Sequence, residues 1–263
     1  MGIKDGILYM IEQSKRELIH KKPPVYIKSI LDKIKLFEVY PNIFAVVIKD
    51  DKLRARVFLR YQEFYESDSE SFRGKSFKWN EFVDYYKKKT KKDYFSYYDD
   101  WEGYNLPCDT IEACKAKIPD LNIYDMIMFS IVDTIKKINN NSPYYLIGIA
   151  QEEGGDESLI NHELAHALWF LDPVYKKRMT KAINEMDPSV KEKMIDKIMK
   201  YGYGENVFDD ELQAYLSTGL GSDMRRIKNI KPQMITFHDI FMEYASKLSP
   251  KKIQIDWSTD LDR

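Results

Sequence analysis

The sequence predicts an α+β protein, with a mixed strand-and-helix N-terminal stretch and a mostly helical C-terminal part. Three observations carry this. Hydrophobic residues make up 44% of a 263-residue chain, enough to bury a sizeable core. Short runs rich in Val, Ile, Phe and Tyr, at 43–48, 53–65 and 144–150, read as strands. Most of the rest repeats apolar residues at helical spacing. The expected organisation is an α+β subdomain over 1–140, forming one wall of a cleft, and a second part over 141–263 that carries the chemistry.

In chain order, residues 3–20 read as an amphipathic helix and 25–37 as a short second one. The runs 43–48 and 53–65, separated by Lys49-Asp50-Asp51-Lys52, read as a hairpin. Arg alternates with apolar residues over 54–60, as in a sheet with one wet face. Residues 79–89 read as a helix and 94–107 as an irregular aromatic loop pinned by buried rings. Two further helices are expected over 109–117 and 121–138, then a strand over 144–150. After a Gly-containing loop comes a helix that Ser158 or Asn161 would help to start. Asp172-Pro173 ends it, and surface helices follow over 175–185 and 189–201.

The chemistry is concentrated in one place. Two of the four histidines lie four residues apart in Asn161-His162-Glu163-Leu164-Ala165-His166. Positions i and i+4 of a helix share a face. Two imidazoles there can bind one Zn²⁺, and Glu163 beside them can accept a proton from a water that the metal activates. The flanking Leu164, Ala165 and Leu168 suit a buried helix, where unpartnered histidines would be costly.

A catalytic zinc commonly takes three protein ligands. Glu211 is the leading candidate for the third. It sits in Phe208-Asp209-Asp210-Glu211-Leu212-Gln213-Ala214-Tyr215, a segment that reads as a helix with acidic residues at its start and Gly219 at its end. Tyr215 shares a side with Glu211 and can donate to the oxyanion of a tetrahedral intermediate; Tyr201, Tyr203, Tyr144 and Tyr145 compete for that role. His238, Asp209, Asp210 and Glu205 compete as ligands.

H-E-L-A-H followed by a helical D-E-x-x-A-Y resembles the gluzincin branch of the zincin metallopeptidases, over about residues 144–221. The resemblance implies a zincin-like domain with a small mixed sheet, zinc on His162, His166 and Glu211, and Glu163 as general base. It implies further that an edge strand beside the site holds an extended peptide, a role expected for 144–150. The long gap between the two motifs, 167–210, departs from the family pattern and keeps the third ligand open.

The expected activity is therefore zinc-dependent hydrolysis of peptide bonds in a peptide or protein substrate. Alternatives are an inactive zincin-like scaffold that binds protein, and hydrolysis of another carbonyl. Net charge is −1 with 32% charged residues, which leaves no overall footprint for nucleic acid. The basic run at 87–92 reads as a solvated helix end. Cys108 and Cys114 form neither a C-x-x-C pair nor a disulfide framework. With no apolar leader or membrane-length run, the chain reads as cytoplasmic, with leaderless secretion as the alternative.

Overall fold

The structure, a computed structural model, describes residues 25–101, 103–150, 157–201 and 203–257. The helix expected over 3–20 and the loop before the motif helix, at 151–156, lie outside these residues.

Helix α1 (Val25–Leu31) leads into strands β1 (Ile34–Tyr40) and β2 (Ile43–Ile48), an antiparallel hairpin in which Ile34 pairs with Ile48. Pro41-Asn42 makes the turn. Asn42 takes the left-handed backbone at φ 62, which Asn adopts more readily than most residues. The hairpin expected between 43–48 and 53–65 does not form: 43–48 pairs instead with β1, which begins inside the stretch expected to be helix over 25–37.

The expected second strand, 53–65, is instead helix α2 (Asp51–Glu66). Asp50 caps it by accepting from the Leu53 N–H at 3.1 Å. The helix is buried almost all round, so it shows no polar stripe of helical period. Arg56 is exposed, but the other two arginines do not form a wet face. Arg54 and Arg60 are each 3% exposed. Arg54 donates to the Ile48 carbonyl at 3.0 Å and pairs with Asp51 at 2.7 Å. Arg60 pairs with Asp120 at 2.8 Å and with Asp125 at 3.3 Å.

Helix α3 (Trp79–Thr90) is followed by the aromatic segment, which contains the short helix α4 (Tyr97–Asp100) and strand β3 (Tyr104–Pro107). Tyr97 and Tyr104 are buried as expected, at most 1% exposed, whereas Tyr94 is exposed. Helices α5 (Cys108–Lys115) and α6 (Ile123–Ile138) precede strand β4 (Tyr145–Ile149). Then come α7 (Glu157–Leu171), α8 (Pro173–Asn184), α9 (Pro188–Lys200), α10 (Phe208–Thr218), α11 (Ile230–Ala245) and β5 (Lys251–Ile253). Asn161 lies more than a turn inside α7 rather than at its start. Asp172 caps α8, accepting from the N–H groups of Val174 and Tyr175 at 2.8 and 2.9 Å, with Pro173 in the first turn.

The five strands form one mixed sheet in the order β3-β4-β2-β1-β5, with β2 and β4 parallel and the other neighbours antiparallel. Side chains alternate between its faces. Phe44, Val46 and Leu146 pack with α2 and α6 on one face. Ala45, Val47 and Ile147 pack with α7, α10 and α11 on the other. The sheet takes strands from both sides of residue 140.

Two consequences follow for the site. Strand β4 is interior, flanked by β3 and β2, so it cannot be the edge that receives a peptide; that expectation is corrected. The edge beside α7 is β3, and it is blunted. The Asn105 N–H is already taken by the Gln62 side chain at 3.3 Å, and Pro107, the next residue facing the same way, has no N–H.

Close approach of α2 to the sheet needs Gly148. A Cβ there would stand 2.7 Å from the Phe58 ring. Gly148→Ala is expected to destabilise the protein by about 1–3 kcal/mol, as overpacking does, measured by urea denaturation. A loss under about 0.5 kcal/mol would show that Phe58 moves aside freely.

Candidate metal centre

Helix α7 is held by its apolar face: Leu164, Ala165, Ala167 and Leu168 are all at most 1% exposed. Each buried leucine contributes roughly 1.5–3 kcal/mol. Two alanines let neighbouring elements come close. That packing fixes which way His162, Glu163 and His166 point. Helix α10 lies against α7 and brings Glu211 to the same place, with Tyr215 and Thr218 one and two turns further along its face.

The structure brings His162, His166 and Glu211 together, with one donor atom of each within 4.8 Å of the others. The two Nε2 atoms stand 3.3 Å apart. Two nitrogens bound to one tetrahedral zinc at ~2.0–2.1 Å are separated by about 3.3–3.4 Å, so the pair already has the edge length of such a site. Glu211 Oε1 is 3.8 Å from His166 Nε2, slightly longer than that edge. His166, Glu163 and Glu211 are buried.

Both rings are oriented from behind. His166 Nδ1 lies 2.9 Å from Asp210 Oδ1 and donates to it. His162 Nδ1 lies 3.3 Å from Thr218 Oγ1. The Thr218 hydroxyl donates to the Ala214 carbonyl at 2.8 Å, so its oxygen is left to accept from Nδ1–H. Both bonds place the ring proton on Nδ1 and turn the Nε2 lone pairs inward, the arrangement that metal-binding histidines use.

The charges are unbalanced without a cation. Glu163, Asp210, Glu211 and, from the end of α2, Glu66 surround two imidazoles. Burial pushes Glu211 up to about 8, with Asp210 and Glu163 adding to the rise and His166 opposing it. Burial, then Glu211, pushes Glu66 up to about 8 as well. Glu163 is raised chiefly by burial. Burial and the neighbouring His166 lower His162 to about 3. Burial works against a charge on His166, but Asp210 and Glu211 outweigh it and hold it well above the usual histidine value. One oxygen each of Glu163 and Glu211 is buried with no hydrogen-bond partner. Converging lone pairs, a surplus of carboxylates and orphaned oxygens are what a metal cation satisfies. The group can hold a metal ion.

Tyr215 packs against the His162 ring, centroids 4.9 Å apart. The competing ligands are not in the group. His238 is exposed and engaged with the Ser217 carbonyl at 2.9 Å. Asp209 and Glu205 are exposed. Asp210 stands behind His166 rather than beside its Nε2.

Several contributors are not singled out by the sequence reading. Thr218 follows Glu211 by seven residues, a helical spacing that would have found it. Gln62 and Glu66 carry no such signal, because they reach the site from α2. Comparison with known protein families, with curated proteins and with solved structures finds no match for this chain. Among the described residues no helix is long and apolar enough to cross a membrane.

Proposed function

We propose that this protein is a zinc-dependent peptidase of the zincin type, with zinc held by His162, His166 and Glu211. One observation carries the reading: the His162 and His166 lone pairs converge at 3.3 Å, with Glu211 adjacent and an unpartnered oxygen of Glu163 in the same pocket. A purely structural site has no use for that additional, non-ligating carboxylate.

Zinc in this site would act as a Lewis acid on the scissile carbonyl and make a bound water acidic. Glu163 takes the proton of the attacking water on its free oxygen and returns it to the leaving amine. Asp210 and Thr218 keep the two rings in the ligating tautomer. Tyr215 donates to the oxyanion. The blunted edge strand shifts peptide recognition away from main-chain pairing within 104–107 and towards side-chain contacts around the site.

The test is metal removal. The protein is stripped with a chelator, reloaded with zinc and incubated with a mixed peptide library, with products read by mass spectrometry. Cleavage is expected from the reloaded protein and not from the stripped one. Zinc binding without cleavage would favour the protein-binding scaffold. Failure to bind zinc at all would remove both readings.

A further inference from the structure

We propose that Gln213 is a positioning residue for the metal site: its side-chain amide holds Asp210 against His166, and Tyr175 holds the amide. This rests on the zinc reading for its effect on metal affinity, but not for its geometry.

Four side chains from three helices are linked in series. The Tyr175 hydroxyl on α8 donates to Gln213 Oε1 at 2.7 Å. Gln213 Nε2 on α10 donates to Asp210 Oδ1 at 3.0 Å. The same oxygen lies 2.9 Å from His166 Nδ1 on α7 and accepts from it. A carboxylate only accepts, so the amide turns its NH₂ to Asp210 and leaves its oxygen to Tyr175. Reversing the amide would set its oxygen against the carboxylate.

The use of such a clamp follows from burial. Gln213 and Tyr175 are each 0% exposed. The Tyr175 ring packs edge-on against Tyr244, centroids 5.0 Å apart, so the outer anchor is fixed in place. The Asp210 side chain is 18% exposed. Water therefore competes for it, and it has room to turn away from the imidazole. An amide donor three residues along the same helix opposes that. Tyr175 lies within 167–210, the stretch that separates the two motifs. Helix α8 is thus more than a spacer, because it supplies the outermost member of the series.

Gln213→Met keeps the bulk of the side chain and removes both of its bonds. It also strands the Tyr175 hydroxyl, so the double variant Gln213→Met/Tyr175→Phe is made beside it; replacing both partners by apolar groups of similar shape avoids a buried unpaired group. Zinc affinity, read by competition with a chromophoric chelator, should fall about tenfold to a hundredfold in both. In an Asp210→Ala background the same substitutions should cost nothing further, because the amide acts only through that carboxylate. A role in packing alone would lower affinity equally in both backgrounds. That result, or wild-type affinity in the double variant, would overturn the proposal. Crystal structures of the metal-free proteins give a second readout. The Asp210–His166 contact should persist in the wild type and be lost in the double variant, and an unmoved Asp210 would sink the idea. If the wild type binds no zinc, the zinc reading fails while these structures still decide the role of Gln213.

Discussion

Glu163→Gln is expected to keep its zinc and lose hydrolysis by about 10²–10⁴-fold, the usual contribution of a general acid–base group. The separation is legible in the site. Glu163 is not among the three residues whose donor atoms converge, so neutralising it leaves the ligands in place. Gln has the same shape, so the fold is not disturbed. What disappears is the basic oxygen. Glutamine also removes a carboxylate that burial already makes reluctant to ionise, so the metal-free variant should be no less stable than the wild type. Parallel elemental analysis and peptide cleavage check this. Full zinc with activity within tenfold of the wild type would mean that another group takes the proton.

The parts of this site visible in the sequence fall into two sets, each confined to one helix. His162, Glu163 and His166 are fixed relative to one another by helical period alone, and Glu211 and Tyr215 likewise. Distances between the helices are not written in any local pattern. They are set by small residues such as Ala165 and Ala167 and by the sheet beneath. The misread stretch at 53–65 shows the converse. Arg54 and Arg60 look solvated because arginine usually is, yet both are buried, Arg54 against the Ile48 carbonyl and Asp51 and Arg60 against Asp120 and Asp125 from further along the chain. Once its charged residues are inside, a helix buried on all sides has no period to detect. Strand β4 was legible as a strand but not as an interior one, because its neighbour β3 is only four residues long and hidden in an aromatic segment.

Glu211→Gln should separate metal binding from folding. The variant is expected to lose at least ~10²-fold in zinc affinity, more than second-shell changes cost, while His238→Ala retains about one zinc per chain. The metal-free proteins should order the other way. Burial raises Glu211 from the usual carboxylate range to about 8, so the folded state binds more protons than the unfolded one across that window. Stability contributed by the protonated form is therefore present below the lower value and is lost as pH rises through about 8. A neutral glutamine does not suffer this loss. Without metal at pH 8 and above, the variant should be more stable than the wild type by on the order of 2 kcal/mol; with excess zinc the order should reverse, because only the wild type gains the binding free energy. The same proton sets the pH dependence of binding. Zinc must displace it from Glu211 below about pH 8, so affinity should climb with pH and flatten above that point. Calorimetry in buffers of different ionisation enthalpy reads the released protons directly. An affinity independent of pH between 6 and 8, or undiminished zinc in the variant, would take Glu211 out of the coordination sphere and leave the His162–His166 pair to find its third ligand elsewhere.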